Sequence, residues 1–351
     1  MSSSVLHVIS KGEVGGAQTS LLNYVEALSN TFEQSVFIGG KNRFLGSRLD
    51  EMQINNHQVD FNSAAGIIHL VSKLRLYKGH NNPIIITHSF IASAITRILL
   101  TGSGVKIIYV VHGFVGNPSV SYLKRFIGLI VEKFLRRGVH KYIAITNYEK
   151  TLIQRFLKRE VLVIPNTTNL PKFNRVVRGK SHRIICLSRF AKPKLNFLIV
   201  KSFLASKLLN HPNYVLSFFG VGPDLEKCKL LTENIKTNIE YHQPVNDVKT
   251  ILETASSLIL MSDHEGLPMT ILEALASDIP IICSDIIELK QIFQDGGQAN
   301  ILFCKNNETD LINIFNEYED WIKSLEIGKN EKYFDDNFSC KHVRKLIQDA
   351  I

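Results

Sequence analysis

The 351-residue sequence lacks a long apolar run, a secretory leader and paired cysteines. No apolar segment reaches the roughly 18–20 residues that a membrane-spanning helix needs. The N-terminal stretch MSSSVLHVIS has neither a basic region nor a cleavage signal. The five cysteines are odd in number, widely spaced and free of C-x-x-C pairs. We therefore expect a cytoplasmic globular protein with reduced, mostly buried thiols.

Several signatures of common chemistries are also missing. The sequence has no D-x-D pair for a divalent metal, no cluster of His and Cys ligands, and no G-x-S-x-G elbow. It has neither G-x-G-x-x-G nor a Walker loop, which argues against a nicotinamide oxidoreductase and against P-loop hydrolysis. We expect no metal cofactor.

Positive charge is concentrated in the first half. Residues 1–170 hold 19 Lys and Arg against 9 Asp and Glu, whereas residues 171–351 hold 22 against 23. Such asymmetry indicates an anionic partner, either a membrane, a nucleic acid or a phosphorylated substrate, unless the basic surface is merely solvated. Segment 122–141, YLKRFIGLIVEKFLRRGVHK, mixes basic and apolar residues at helical spacing. It predicts a helix on an anionic membrane surface, with a core-packed helix as the alternative.

Strand-like and helix-like segments alternate twice along the chain. In the first half, apolar runs such as VLHVIS, PIIITHS and KIIYVVHG are separated by helical patterns, and RIICLSR, YVLSFFGVG and SSLILMSD repeat the arrangement later. The alternation predicts two Rossmann-like, doubly wound α/β domains whose sheets face each other across a cleft. We expect domains at 1–164 and 183–330, a linker at 165–182, and a C-terminal helix at 331–351 that packs toward the first domain.

Candidate ligand-binding residues follow the predicted strands of the second domain. Arg189 and Lys194 come after RIICLS, and two cations there suit a diphosphate. The stretch DHEGLPMTILEALA after SSLILMS carries two carboxylates suited to hydroxyl-rich groups, together with amides at a helix start. The residues concerned are Glu265, Gly266, Leu267, Pro268 and Glu273. Pro268 suits the first helical turn. The alternative is a set of solvated surface charges.

In the first domain, a glycine-rich loop and two histidines stand at strand ends. Gly15 and Gly16 lie between the first strand and its helix, where a backbone approaches a ligand closely unless the loop is a plain turn. His88 and His112 each follow a strand, and a His at such an edge can orient a reacting hydroxyl. We favour His112 because Gly113 permits close approach.

These motifs, in this order, resemble the family 4 retaining glycosyltransferases with the GT-B fold. The resemblance covers nearly the whole chain: GGAQTSLLNYVEAL, VVHGF, VIPN, SRFAKPK, FGVGPDLEKCKLL and SDHEGLPMTILEALASDIPIICSD. The last stretch is specific, because two glutamates flank seven residues. Three positions depart from the family pattern: Gln18, Thr167 and Gln243.

The resemblance implies a role for each matching residue. Arg189 and Lys194 look like the pair that binds the donor diphosphate, and Glu273 looks like the ribose ligand. Glu265 looks like the carboxylate near the transferred sugar, and His112 is similar to the His near the reacting sugar. The remaining matches look like backbone that borders donor and acceptor: Gly15, Gly16, Gly266, Leu267 and Pro268.

The resemblance also implies a reaction. It is transfer of a sugar, with retained anomeric configuration, from a UDP-sugar rather than a GDP-sugar to a glycan or lipid-linked acceptor in bacterial cell-surface polysaccharide synthesis. We expect no nucleic-acid partner, and a location in the cytoplasm or on the cytoplasmic face of the membrane. Two other functions remain open: a GT-B sugar-nucleotide epimerase and a non-catalytic GT-B partner subunit.

Overall fold

The structure is a computed structural model, and it describes residues 4–13, 15–40, 44–77, 83–100, 102–170, 182–245, 247–293 and 297–351. The chain divides into two compact units. Unit 1 comprises Met1–Thr167 together with Cys340–Ile351, and unit 2 comprises Thr168–Ser339. Most of the predicted linker, residues 171–181, lies outside the described residues.

Unit 1 contains a seven-stranded parallel sheet with order β3-β2-β1-β4-β5-β6-β7. Its central strands are apolar on both faces, as expected for a sheet covered by helices on both sides. The strands are β1 Ser4–Ile9, β2 Glu33–Gly39, β3 Asn55–Val59, β4 Ile84–Thr87, β5 Lys106–Val111, β6 Lys141–Ala144 and β7 Val161–Val163. The helices between them are α1 Gly16–Leu28, α2 Phe44–Glu51, α3 Ala64–Tyr77, α4 Phe90–Leu100, α5 Tyr122–Leu135 and α6 Asn147–Leu157.

Unit 2 repeats the plan with a six-stranded parallel sheet of order β10-β9-β8-β11-β12-β13. The strands are β8 Arg183–Leu187, β9 Val215–Phe219, β10 Ile239–His242, β11 Ala255–Leu260, β12 Ile281–Ser284 and β13 Ile301–Cys304. The helices are α7 Asn196–Leu204, α8 Leu225–Leu230, α9 Val248–Glu253, α10 Met269–Ala276, α11 Ile287–Phe293, α12 Glu308–Asn316, α13 Tyr318–Lys323 and α14 Lys329–Phe338.

Strand order fixes where each unit can bind a ligand. Chain order reverses direction between β1 and β4 in unit 1, and between β8 and β11 in unit 2. In open α/β sheets, ligands bind outside the carboxyl ends of the strands at such a reversal. The loops that follow these four strands are therefore the first place to look for function.

The C-terminal segment differs from the single helix expected at 331–351. It forms α14 and a separate helix α15 (Cys340–Ala350), because Ser339 adopts an extended backbone with ψ 145°. The two helices bury apolar side chains in different cores. Phe338 of α14 packs near Phe293 in unit 2, with ring centroids 6.3 Å apart. Val343 and Ile347 of α15 join the unit 1 core beside Tyr24.

Within the described residues, no helix has the length and apolarity to cross a membrane.

Candidate active site

The first loop of the unit 2 reversal point lies between β8 and α7 and carries both predicted cations. Its conformation is held by Asn196, a buried residue at the start of α7. The Asn196 Oδ1 atom accepts a hydrogen bond from Ser188 Oγ at 2.9 Å, and its Nδ2 donates to the Arg189 carbonyl at 3.2 Å. Arg189 itself is exposed, and its guanidinium has no hydrogen-bond or ion-pair partner among the residues described.

Backbone bonds join this loop to the loop after β11. The Leu195 amide donates to the Met261 carbonyl, and the Asp263 amide donates to the Pro193 carbonyl, each at 3.0 Å. Ser262 Oγ also donates to the Pro193 carbonyl, at 3.2 Å. Residues 66 to 70 positions apart in sequence are thereby fixed side by side at the carboxyl edge of the sheet.

The joined loops bring Lys194 against Glu265. Lys194 Nζ lies 2.5 Å from Glu265 Oε1, and the side chains are only 16% and 10% exposed. An ion pair so shielded from water interacts more strongly than a surface pair, because the solvent screens it less. The pair fixes the position of both groups, and Arg189 and Lys192 are then the cations of this loop without an ion-pair partner among the described residues.

The loop after β11 is also held by hydrogen bonds among Ser262, Ser284 and Asn306. Ser284 Oγ accepts from the Ser262 amide at 2.7 Å and donates to Asn306 Oδ1 at 2.7 Å. Asn306 Nδ2 donates to the Ser262 carbonyl at 2.9 Å. Sequence reasoning missed these supports and Asn196. The signal for Ser262 and Ser284 was a serine closing an apolar strand, whereas nothing in the sequence distinguished Asn306.

Helix α10 presents Glu273 from an apolar segment. Leu272 and Ala274 beside it are fully buried, but Glu273 is half-buried, and its carboxyl group has no hydrogen-bond or ion-pair partner in the described part of the chain. Loss of hydration raises the pKa of its carboxyl to about 7. Pro268 is the N-cap of α10 rather than a residue of its first turn, since its ψ is 126° and outside the helical range. Gly266 and Leu267 lie in the loop before it, and the Leu267 side chain is buried.

At the unit 1 reversal point, the loop after β1 is bonded to the loop after β4. The Ser10 amide donates to Ser89 Oγ at 3.1 Å, and the two hydroxyls lie 2.8 Å apart. The buried side chain of Gln18, in α1, closes the glycine-rich loop through a 2.8 Å bond from its Nε2 to the Lys11 carbonyl. Gly15 is the N-cap of α1, and Gly16 is its first residue.

Three histidines lie in a row behind this edge. His7 Nδ1 is 3.2 Å from His88 Nε2, and the His88 ring stacks on His112 with centroids 5.8 Å apart. Burial lowers the pKa of both His7 and His112 to about 4, and that of His88 well below its usual value. All three rings are therefore neutral at pH 7. Sequence analysis missed His7, whose signal was a polar residue within an apolar strand.

His112 stands out because both of its ring nitrogens are screened from solvent and unpartnered among the described residues. A buried imidazole without a hydrogen bond is destabilising unless a ligand completes it. The next residue, Gly113, has a φ of +144°, which a residue with a Cβ rarely adopts, so the backbone turns sharply after the ring. His112, Gly15 and Gly16 belong to unit 1, and the other predicted site residues belong to unit 2.

No group of three or more His, Cys, Asp or Glu side chains in the described ranges is arranged to hold a metal ion. The functional groups at the two edges are thus cations, carboxylates, neutral imidazoles and backbone amides. This is a set suited to a phosphorylated sugar-like ligand.

Comparison with solved structures identifies the fold. A structure of Anabaena HepE in complex with UDP-glucose has the same two-domain fold, with a TM-score of 0.82 and 15% identity over 99% of this chain and 98% of that one. The fold is therefore that of the GT-B glycosyltransferases.

Sequence comparison assigns the family. The model for glycosyltransferase family 4 matches residues 14–172, and the model for glycosyl transferases group 1 matches residues 170–332. The O-antigen biosynthesis glycosyltransferase WbnH of Escherichia coli is 26% identical over 95% of this chain and 96% of its own length. The E. coli UDP-Gal:alpha-D-GlcNAc-diphosphoundecaprenol alpha-1,3-galactosyltransferase is 24% identical over 79% and 74%. The chain belongs to glycosyltransferase family 4 and is a glycosyltransferase.

Proposed function

We propose that the protein transfers a sugar from a UDP-sugar, with retention of configuration, to a lipid-linked glycan acceptor in bacterial cell-surface polysaccharide synthesis, such as O-antigen, capsule or exopolysaccharide. The observation that carries the proposal is the Lys194–Glu265 pair beside the unpartnered Arg189 at the unit 2 reversal point. A diphosphate needs cations at a fixed position, and a sugar needs a nearby hydrogen-bond acceptor.

The donor diphosphate becomes a better leaving group when its growing charge is stabilised. Arg189 and Lys194 supply that stabilisation, assisted by the amides around Gly266 at the start of α10. Glu265 holds Lys194 in place and accepts hydrogen bonds from the transferred sugar. Its pairing with Lys194 orients the carboxylate before the donor arrives.

Glu273 binds the ribose. Its carboxyl has lost hydration without gaining a partner among the described residues, and ribose hydroxyls are donors that restore the lost hydrogen bonds. Both features explain why a carboxylate is present in the otherwise apolar sequence MTILEALA.

The chemistry at the reacting sugar needs no enzyme nucleophile. The leaving diphosphate takes the proton of the acceptor hydroxyl on the same face of the sugar, and so the configuration is retained. His112, kept neutral by burial, hydrogen-bonds a hydroxyl at the reacting centre. A neutral imidazole binds there without adding positive charge to an oxocarbenium-like transition state.

Two relatives support a uridine donor. HepE was crystallised with UDP-glucose, and one E. coli relative is named for UDP-Gal. Because Arg189 and Lys194 do the work that a metal does elsewhere, transfer should persist in excess EDTA. Loss of transfer on chelation, with recovery on addition of Mg²⁺ or Mn²⁺, would contradict this assignment.

The acceptor side is assigned from charge and from a relative. The E. coli galactosyltransferase named above acts on a sugar joined to diphosphoundecaprenol, and residues 1–170 carry the excess of positive charge. Helix α5 exposes Tyr122, Leu123, Phe126, Ile127, Ile130 and Phe134 beside basic residues. We infer that the exposed face of α5, which ends at Leu135 and so covers only the first part of the predicted segment 122–141, lies on the anionic cytoplasmic face of the membrane. The protein should sediment with anionic vesicles, less so at high salt, and not with neutral ones.

One screen tests the whole proposal. Nucleotide sugars are tested for thermal stabilisation, and the best ligand is then assayed with a lipid-diphosphate glycan. A UDP-sugar should stabilise the protein most and be consumed only with acceptor. Consumption without acceptor would indicate an epimerase, and binding without consumption would indicate a non-catalytic subunit.

A further inference from the structure

A cavity of about 380 Å³ lies between α5 and α6 in unit 1. Its walls are largely apolar, formed by Gly116, Tyr122, Phe126, Leu129, Leu152 and Phe156. The volume falls within the range of small-molecule sites, and aromatic rings line two of its sides. The proposed transfer reaction does not by itself explain this cavity.

Two arginines complete the lining, Arg125 from α5 and Arg155 from α6. The Arg155 guanidinium lies 5.7 Å from the centroid of the Phe156 ring. Neither guanidinium has an ion-pair partner in the ranges that the structure describes. An apolar cavity that carries two unneutralised guanidinium groups matches a ligand that is apolar at one end and anionic at the other.

The acidic residues of these helices cannot neutralise the arginines. The one glutamate of α5, Glu132, is buried and bound by both terminal nitrogens of Arg97 at 2.9 Å. The one glutamate of α6, Glu149, is buried and accepts from the backbone amides of Phe114 at 3.2 Å and Ile145 at 3.4 Å. The positive charge at the cavity therefore remains available to an anion.

One wall of the cavity lies close to His112 along the chain. Gly116 lies four residues after His112, so the two Cα atoms are at most about 14 Å apart. A Cβ on Gly116 would lie 2.5 Å from the Phe114 ring, so only glycine leaves this wall in place without moving an aromatic side chain. The loop that carries His112 thus also forms one side of the cavity.

We propose that this cavity binds the first isoprenoid units of a polyisoprenyl diphosphate acceptor, with Arg125 and Arg155 on the diphosphate. The inference rests on the proposed transfer to a lipid-linked glycan and assigns a site to the lipid. The diphosphate then lies at the cavity mouth, and the attached sugar reaches toward the His112 loop. The exposed apolar face of α5, including Phe134 at 82% exposure, contacts the surrounding bilayer instead.

Farnesyl diphosphate, a short soluble member of this class, is the probe. In calorimetric titrations with the full chain, the wild type should bind farnesyl diphosphate and should bind neither farnesol nor dodecane phosphonate as tightly. Leu129→Trp, which fills the cavity, and the double variant Arg125→Gln/Arg155→Gln should each weaken binding by about tenfold or more. Phe134→Ala, on the same helix but outside the cavity, should bind like the wild type while losing sedimentation with anionic vesicles.

A photoactivatable farnesyl diphosphate, mapped by mass spectrometry, provides a readout that does not depend on variants. Labelling of α5 and α6 peptides supports the site, and labelling only elsewhere overturns it. Binding that survives Leu129→Trp but is lost in Arg189→Ala places the probe in the donor site and also overturns it. If farnesyl diphosphate fails to bind while UDP binds and a lipid-diphosphate glycan is still glycosylated, this inference falls and the proposed transfer stands.

Discussion

The two sheets have corresponding strand orders, but their carboxyl edges carry different chemical groups. The groups are charged in unit 2 and uncharged in unit 1. The unit 2 edge carries formal charges, with Lys194 and Glu265 paired at 2.5 Å and Arg189 free of a partner among the described residues. The unit 1 edge carries His7, His88 and His112, and burial keeps all three neutral. We propose that one topology provides a charged site for a diphosphate and an uncharged site for hydroxyl groups. The contrast arises mainly in the loops after the strands, because only His7 among these residues lies within a strand.

The largest effect should come from removing Glu132, the buried carboxylate of α5 that pairs with Arg97. Glu132→Ala leaves Arg97 buried without its carboxylate partner, and the free energy of unfolding should fall by about 3–5 kcal/mol. The exposed pair in the same unit provides a control, because Glu51→Ala should cost less than about 1 kcal/mol. Urea denaturation of both variants measures the difference. Equal, small losses would mean that the buried pair does not stabilise unit 1.

Removing the Arg189 side chain from the unit 2 edge should mainly affect catalysis. Arg189→Ala breaks no ion pair among the described residues, and so it should leave stability nearly unchanged. It should reduce kcat/KM of transfer by about 10²–10³-fold, the usual effect of losing one group that stabilises developing negative charge. Lys192→Ala, an exposed residue of the same loop, is the control. Comparable losses in both variants would indicate a general electrostatic effect.

Alanine variants of Glu265 and Glu273 should impair different steps of the reaction. Glu273→Ala should weaken UDP binding by roughly 1.5–3 kcal/mol, because hydrogen bonds to a charged group are lost. Glu265→Ala removes the partner of Lys194 and should bind UDP no more weakly than the wild type, yet it should depress transfer. Calorimetry with UDP and a transfer assay separate the roles. A Glu265→Ala protein that loses UDP as strongly as Glu273→Ala would reverse the assignment.

The pKa of Glu273 predicts a smaller, pH-dependent effect. The carboxyl ionises with a pKa of about 7, and the ionised form is the better acceptor for ribose hydroxyls. UDP affinity of the wild type relative to Glu273→Gln should therefore rise between pH 6 and 8 by about a few fold. Because UDP ionises in the same way in both titrations, the effect of its own ionisation cancels in the ratio of the two affinities. A ratio that does not change with pH would show that the carboxyl does not contact the nucleotide.

The smallest effect concerns the acid that supports the His112 loop. Burial raises the pKa of Glu149 to about 8, above its ordinary value. The native state therefore holds a proton that the unfolded state has released between about pH 4.5 and 8. The stability that depends on this proton is complete below that window and is lost as the pH rises through it. Glu149→Gln should flatten this part of the pH dependence, measured as the difference in thermal midpoint between the two proteins.

Much of the fold could be predicted because most strands are continuous apolar runs that parallel sheets bury on both faces. The prediction failed at β3, whose sequence NNHQV has one buried residue and lies at the sheet edge, and at β13, whose four residues are mostly half-buried. β3 lacks the apolar run that identifies a central strand, and β13, with the sequence ILFC, is apolar but only four residues long.

The sequence places the candidate residues relative to the strands, but it does not predict which side chains pair. Residues directly after strands can be found from the sequence, which is how Arg189, Lys194 and His112 were selected. The contact of Lys194 with Glu265 depends on backbone bonds between two loops, from Leu195 to Met261 and from Asp263 to Pro193. Bonds of this kind carry no side-chain signature, and neither does the support that Asn306 gives from a third loop.

The central claim is that the nucleotide is held by unit 2 alone and that the unit 1 edge serves the reacting hydroxyl. Calorimetric titration of UDP into His112→Ala and Arg189→Ala tests it most directly. The account predicts that His112→Ala binds UDP like the wild type while losing transfer. It also predicts that Arg189→Ala binds UDP about tenfold or more weakly, because a charge-assisted bond to the diphosphate is gone. Equal loss of UDP affinity in both variants, or none in Arg189→Ala, would contradict it.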